Sequence, residues 1–338
     1  MVSGNERVKA LALLSGGLDS TLAARLMLEQ GVEIEGVNFV SVLTRTSRPD
    51  MPKGFAPRQA ADQLGIPLRV VNITNEFLDM VRNPKHGYGS SMNPCIDCRI
   101  LTLRTAGRMM EETGARFVVT GEVLGQRPMS QHRQAMDSVD RESGLTGFVL
   151  RPLSAHLLEP TIPEQEGWVD RSQLLGIRGR SRKVQMALAA ARGITDYPSP
   201  AGGCLLTEQS FGNRLRDLWA HDPDVDVTQV RLLKYGRHIR LSPTLKLIVG
   251  RDNHENSMLR RFAGSFGRMY ATDHKGPLTL VIGTPTEDEI RLAAAITARY
   301  GQGRDETDVR VVYRTPDGDK TVSVAPIDLK DIERYRIT

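Results

Sequence analysis

Cysteine and aromatic residues are scarce in this chain of 338 residues, which holds three cysteines and only 5% Phe, Trp and Tyr. Three cysteines, an odd and sparse number, argue against a framework of structural disulfides. So few aromatic rings argue against a base-stacking platform like that of an RNA-recognition motif. No uninterrupted apolar stretch approaches the roughly 18 residues that a membrane span needs. The opening Met1-Val-Ser-Gly-Asn-Glu-Arg7 has no apolar signal-peptide core and leads into a strand, so the expected location is cytoplasmic, away from any membrane. No G-x-x-x-x-G-K-[ST] run occurs, which excludes a Walker-type phosphate loop. Internal repeats and low-complexity tracts are also lacking. The remaining composition, 40% hydrophobic and 25% charged, is ordinary for a globular protein, and the length allows two domains.

What is there begins with Ser15-Gly16-Gly17-Leu18-Asp19-Ser20. It follows the apolar run Val8–Leu14 and precedes a helix-patterned segment, Thr21–Gln30. A buried strand, a tight glycine turn and a helix N-terminus in that order make an anion seat, because consecutive N–H groups and the helix dipole point at one place. Gly16 and Gly17 let the backbone approach a phosphate, and Ser15 and Ser20 add hydroxyl donors. Asp19 is out of place beside phosphates unless a cation bridges it, which implies Mg²⁺. A Ser/Gly/Asp turn that merely caps a helix is the plainer alternative, and the flanking strand and helix disfavour it.

Strand-like runs recur at Val32–Val40, Leu68–Asn72, Arg116–Gly121 and Phe148–Leu150, with helical patterns at Arg58–Leu64, Asn75–Arg82 and Cys98–Thr113. This alternation predicts an α/β fold with a doubly wound, mostly parallel sheet. Ligands bind such sheets at the carboxyl ends of the strands, so Asn38 and Phe39 at the end of the second strand are expected to offer backbone groups to a base. Trp168–Gly193 reads as helical and basic, with Arg171, Arg178, Arg180, Arg182, Lys183 and Arg192 against the single acid Asp170. Arg99, Arg104 and Arg108 form a second basic group at helical spacing. Either is a solvated helix face or a seat for a polyanion. Past the acidic turn Asp222–Asp226 the texture changes to a small α+β domain. Arg240–Gly250 and Leu278–Gly283 read as strands, Thr286–Tyr300 as a helix, and Val309–Arg314 with Lys320–Val324 as a hairpin turning at Asp317-Gly318.

The cysteines stand in Asn93-Pro-Cys95-Ile-Asp-Cys98-Arg99 and in Ala201-Gly-Gly-Cys204. A C-x₂-C pair at a loop-to-helix junction aims two thiols at one point. Four readings stay open from the residues: unrelated small buried side chains, zinc with a fourth ligand such as His86 or His132, a redox or persulfide pair, and a three-cysteine iron–sulfur cluster with one open iron.

The hexapeptide at 15–20 resembles the SGGxDS loop of the ATP pyrophosphatase (PP-loop) superfamily. That resemblance implies ATP, Mg²⁺, a HUP-like sheet and activation of a carbonyl oxygen as its adenylate. Thr120-Gly121-Glu122-Val-Leu-Gly-Gln126, continuing to Ser130 and Gln131, resembles the second signature of the tRNA 4-thiouridine synthases, and Arg151-Pro-Leu-Ser154 matches the run that follows it there. Pro128-Met129 is the departure within that signature. The resemblance covers about residues 1–210. It implies a nucleotide or uridine site lined by Gly121, Glu122, Gln126, Ser130 and Gln131, and a [4Fe–4S] cluster held by Cys95, Cys98 and Cys204, as in related thiolation enzymes. Arg99, beside that cluster, would steady developing negative charge. Leu245–Asn256 resembles the start of the NFACT-R RNA-binding domain, although the family's D-x-W-F-H segment is replaced by Gly267–Asp273. The synthases' THUMP domain has no counterpart here, so the grip on tRNA is expected from 228–338 and from the basic run at 171–192.

The expected organisation is an adenylation and thiolation domain over 1–210, a helical linker over 211–227 and an RNA-binding domain over 228–338. The expected activity is ATP-dependent tRNA uridine sulfurtransfer, with Asp19, Arg99 and the three cysteines as the chemical residues and a sulfide or persulfide donor as partner. The oligomeric state is left open, a homodimer among the options. Two rivals remain: an amide-forming adenylating ligase with zinc on the cysteines, and a non-catalytic RNA-binding protein with a relic nucleotide pocket.

Overall fold

The computed structural model describes residues 7–44, 55–198, 204–222 and 224–338. They divide into two units, Met1–Thr207 and Glu208–Thr338. Among the described residues no helix is long and apolar enough to cross a membrane.

The first unit runs β1 (Lys9–Leu13), α1 (Leu18–Glu29), β2 (Glu33–Val40), α2 (Ala56–Leu64), β3 (Leu68–Asn72), α3 (Thr74–Arg82), α4 (Cys95–Thr113), β4 (Phe117–Val119), α5 (Arg133–Ser143), β5 (Val149–Leu150), α6 (Ile162–Gln165) and α7 (Lys183–Ala191). Its five strands are all parallel, in the order β3-β2-β1-β4-β5, the PP-loop and HUP-like arrangement. β1 is central, and period-2 alternation makes it serve two cores. Ala10, Ala12 and Leu14 pack with Leu18 and Leu22 of α1, whereas Leu11 packs with Met109 of α4 on the opposite face. The buried middle of the sheet holds the carboxyl end of β1 rigid, where the Ser15–Ser20 loop leaves it.

The second unit runs α8 (Gln209–His221), α9 (Val227–Leu232), β6 (Arg237–Ser242), β7 (Leu245–Val249), α10 (Asn253–Arg260), β8 (Gly267–Ala271), β9 (Thr279–Ile282), α11 (Glu287–Arg299), β10 (Val309–Thr315), β11 (Gly318–Val324) and α12 (Leu329–Glu333). Its six strands are antiparallel, in the order β11-β10-β8-β9-β7-β6. One face is covered by α11 through Ile290, Ala293 and Ala294, and part of the other by Leu259 of α10 and Leu232 of α9.

Three sequence expectations are revised. Trp168–Gly193 is α-helical only over α7; upstream, the Asp170 carboxylate takes the Ser172 N–H at 2.9 Å and caps a single 3-10 turn, Arg171–Gln173, and Gly179 turns at φ +88°. The single strand at Arg240–Gly250 is a hairpin of β6 and β7, because Pro243 cannot donate to a ladder. The helix expected as a linker, α8, packs on the second unit: Asp217 pairs with Arg240 and with Lys246, each at 2.8 Å. The glycines before Cys204 lie outside the described residues.

Candidate nucleotide and thiol site

After β1, the Leu14 N–H still donates to the Val37 carbonyl at 2.8 Å, and then the chain turns. Gly16 makes the turn at φ +75°, and a Cβ there would stand 2.4 Å from the Ala56 carbonyl carbon. Only glycine fits. Gly17, at φ −83° and ψ 159°, caps α1, and no side chain takes the helix's first N–H groups. Ser15 and Ser20 bridge the loop, their hydroxyls 3.0 Å apart, and Ser20 donates onward to the Gly17 carbonyl at 3.0 Å. The loop is thus preorganised while its donor-rich helix end stays uncapped, as an anion seat requires.

Asp19 is the loop's distinctive group. Its Oδ2 accepts from Gln126 Nε2 at 3.1 Å, while its Oδ1 is buried with no partner. A buried carboxylate oxygen without a donor is costly, and a hard cation removes that cost. The residue therefore suits Mg²⁺. The bond to Gln126 ties the loop to the 120–126 signature. Gly121 seals the same junction, since a Cβ there would lie 2.4 Å from the Ser20 nitrogen. Beyond Val37 the ladder between β1 and β2 has ended, and the Asn38 amide reaches back to the Leu14 carbonyl at 2.8 Å. Phe39 packs into the core against Leu13.

Glu122 is occupied differently. Arg151 Nε lies 3.0 Å from one oxygen and Arg99 Nε 3.3 Å from the other, while Thr120 donates at 3.2 Å. Arg151 also holds Asp140 of α5 through a bidentate pair at 2.7 and 2.8 Å. Burial pushes the Glu122 carboxyl up, but Arg99 and Arg151 more than offset it and hold it below the usual range. Asp140, buried with weaker compensation, is pushed up. Ser154 completes this corner: its hydroxyl accepts from Leu124 N–H at 2.9 Å and donates to the Ile177 carbonyl at 2.7 Å. Arg178 then bridges Leu124, laying the exposed Arg178 and Arg180 segment beside the signature. Ser130 and Gln131 are buried, and the Gln131 Oε1 has no partner.

The C-x₂-C pair lies on the first turn of α4, after Pro94. Asn93 donates to Cys95 Sγ at 3.0 Å. The Cys204 segment is drawn to the same loop by the Met92 N–H to Leu206 carbonyl bond of 3.0 Å. Burial, opposed by Arg99 and reinforced by Cys204, Cys95 and Asp97, pushes the Cys98 thiol up to about 12. The three sulfurs thus share one electrostatic neighbourhood. Among the described residues no three His, Cys, Asp or Glu side chains are arranged to hold a single metal ion. His86 is held by Glu142 at 3.1 Å, and His132 Nδ1 caps α5 by accepting the Ala135 N–H at 3.3 Å. Both histidines proposed as fourth zinc ligands are therefore committed elsewhere. Three cysteine thiols are the donor type that iron–sulfur clusters use, so the chemistry of this set is compatible with such a group.

Within the two basic groups, Arg171 bonds Glu164 and Arg192 bonds Glu29 at 3.1 Å, whereas Arg178, Arg180 and Lys183 are exposed. Arg104 caps the Glu142 carbonyl at 2.9 Å.

A glycine turn at the end of the central strand of a 3-2-1-4-5 parallel sheet is the arrangement that the resemblance to PP-loop enzymes implies, and a separate antiparallel domain follows it in the chain. Residues 5–157 match the family model of the thiamine biosynthesis protein ThiI, and residues 236–336 match that of the NFACT protein RNA binding domain. A tRNA-specific 2-thiouridylase MnmA of Acidothermus cellulolyticus is 29% identical over 228 residues, covering 62% of this chain and 58% of its own. A probable tRNA sulfurtransferase of Lysinibacillus sphaericus is 32% identical over 146 residues, covering 43% and 34%. A solved 4-thiouridine synthetase–RNA complex with bound ATP is 25% identical, covering 66% of this chain and 52% of its own, at a TM-score of 0.34. The chain spans less than two thirds of the length of the curated relatives it matches, 58%, 45% and 33% for three of the MnmA proteins. Its two halves thus resemble PP-loop tRNA thiolases and NFACT-type RNA-binding domains, respectively.

Proposed function

We propose that the protein is an ATP-dependent tRNA uridine sulfurtransferase. The observation that carries this reading is Asp19, with one oxygen tied to Gln126 of the thiolase-like signature and the other buried without a partner. In this reading Ser15, Gly16, Gly17, Ser20 and the first N–H groups of α1 hold the β- and γ-phosphates. Asp19 orients Mg²⁺, which when bound neutralises charge on the leaving pyrophosphate. The uridine carbonyl oxygen attacks the α-phosphorus, the P–O bond to pyrophosphate breaks, and the base carries AMP. Hydrosulfide then attacks that carbon and AMP leaves with the oxygen. The open strand end at Asn38 and Phe39 takes the adenine, and buried Ser130 and Gln131 shape the pocket wall. Glu122 locks Arg99 and Arg151 behind the site.

Cys95, Cys98 and Cys204 would hold a [4Fe–4S] cluster, whose Lewis-acidic iron would supply sulfide in its deprotonated form at neutral pH. Asn93 orients the Cys95 sulfur, and burial keeps competing thiol chemistry from water. Residues 228–338 and the exposed Arg178, Arg180 and Lys183 would grip tRNA. The cytoplasm is where such a substrate is met. Incubation with tRNA, ATP, Mg²⁺ and sulfide under anaerobic conditions, followed by nucleoside mass spectrometry, tests the activity. Thiouridine formed only with ATP supports it; adenylate-dependent amide formation without thiouridine would replace it with the ligase reading. Iron and acid-labile sulfide near four each per chain support the cluster, and stoichiometric zinc without iron ends that part.

A further inference from the structure

In the second unit, four arginines gather where β6 and β7 meet the start of α10. Arg237 lies opposite Val249 in the β6–β7 ladder, one residue before Gly250 and two before Arg251. Arg336 lies beside the same strand end, through its bridge to Ile239. Arg214 reaches the corner from α8, donating to the Leu233 carbonyl at 3.0 Å. Their charges are unevenly balanced. Arg251 bonds Glu255, and Arg336 bonds Glu333 at 2.8 Å. Arg214 and Arg237 bond only carbonyls, and the carboxylate that acts on both is Glu255, which Arg251 already bonds. Arg237 donates to the Gly250 carbonyl at 3.3 Å and lies 4.5 Å over the Tyr300 ring, and the Arg214 Nε is buried with no partner at all. Burial and repulsion from Arg251 and Arg336 disfavour the charged form of both groups, and attraction to Glu255, joined at Arg237 by Tyr300, does not offset them.

Capping a carbonyl or covering a tyrosine needs one guanidinium. Gathering four around two carboxylates, Glu255 and Glu333, leaves an excess of positive charge, part of it half-buried, at a cost in folding energy that an anionic ligand would return. Guanidinium forks match phosphate oxygens two at a time, so phosphate is the anion this geometry suits. We infer that Arg214, Arg237, Arg251 and Arg336 form a phosphate-binding site that grips the RNA backbone. This rests on the reading of the second unit as RNA-binding and names the surface that does the binding. Arg251 and Arg336 are positioned by their carboxylates, and Arg214 and Arg237 bring the excess charge.

The test uses the full chain with an unmodified tRNA transcript and with inorganic phosphate alone. Arg214→Gln and Arg237→Gln, singly and together, are compared with Arg304→Gln, which removes an exposed arginine elsewhere. Each cluster variant should weaken RNA binding about tenfold, the scale of one charge-assisted contact. The double variant should flatten the slope of log affinity against log salt by about two, roughly one per lost phosphate contact. Arg304→Gln should change neither. Melting temperature without phosphate should hold or rise in the variants, because repulsion is relieved, and the upshift that phosphate gives the wild type over chloride should shrink. A wild type that binds RNA with a slope unchanged in the double variant overturns this surface and leaves RNA binding standing. A wild type that binds no RNA yet loses its phosphate upshift in the variants overturns the RNA reading and reduces the site to a small-anion site. Loss of melting temperature in both single variants without phosphate would make the cluster structural and overturn the inference.

Discussion

Asp19 and Glu122 lie in two adjoining loops of the first unit, yet they are handled in opposite ways. Glu122 has both oxygens taken, by Arg99, Arg151 and Thr120, and is 2% exposed. Asp19 has one oxygen on Gln126 and one buried oxygen left bare. A closed network rigidifies a corner of the fold, whereas an unmet polar atom in a preorganised loop points to something that binds there. The same contrast recurs among arginines. Arg151 is saturated by Glu122 and Asp140, whereas Arg214 and Arg237 bond only carbonyls, Arg237 also covers a ring, and both share Glu255 with Arg251. Pairing separates what holds the fold from what holds a ligand.

That distinction breaks if the closed group proves dispensable. Glu122→Gln keeps the shape but takes a carboxylate from buried Arg151, which keeps Asp140, and from partly exposed Arg99, and removing one partner of a buried pair costs about 3–5 kcal/mol. Thermal unfolding should begin roughly 10 °C lower for a unit of this size. A melting curve like the wild type's would show that the network is ornamental. Asp19→Ala should behave in reverse, with melting temperature nearly kept and ATP-dependent turnover reduced by on the order of a hundredfold or more, as for a lost electrostatic stabiliser. Unchanged turnover would make the loop structural.

Gly121→Ala sharpens the comparison, because it presses on the seam between the two groups. Its Cβ meets loop backbone at 2.4 Å, and overpacking of this kind costs about 1–3 kcal/mol. Apparent affinity for ATP should fall in step with stability, measured by equilibrium binding and melting on one preparation. Full ATP affinity in a folded variant would show that the seam does not position the loop. The smallest effect is acid sensitivity. Glu122 is held below its ordinary value of 4.5, so its stabilisation is complete above that value and is lost as pH falls through the lower folded-state value. The stability gap between wild type and Glu122→Gln should therefore narrow below about pH 4. A gap constant down to pH 3 would mean that the carboxylate is not what stabilises the corner.

Much of this was legible in the residues. The strand, double glycine and helix at 8–30 announced the tight turn and the helix start at 15–20, since each element needs only local chemistry. β1, β4 and β5 were readable as apolar runs buried in the sheet, and β2 and the more exposed β3 by their β-branched residues. The helix at Arg133–Ser143 was not: its buried face is little more than Ala135, Met136 and Val139, and it starts at a histidine cap instead of Ser, Thr or Asp. Asp140 was lost with it, and with Asp140 the reason Arg151 follows the signature. Gly121 belongs to a recognisable motif, but its close approach to Ser20 is a long-range contact that spacing does not reveal. The arginines at 214, 237, 251 and 336 are scattered over more than a hundred residues, and only the fold of the second unit brings them to one corner.

The central claim is that the loop at 15–20 and the thiols at 95, 98 and 204 serve one reaction on tRNA. Anaerobic incubation of the protein with unmodified tRNA, ATP, Mg²⁺ and sulfide, followed by nucleoside mass spectrometry, tests it most directly in wild type, Asp19→Ala and Cys204→Ala. Thiouridine in the wild type, absent without ATP and absent from both variants, is the predicted result. Wild-type protein that consumes ATP but leaves every uridine unthiolated would contradict it.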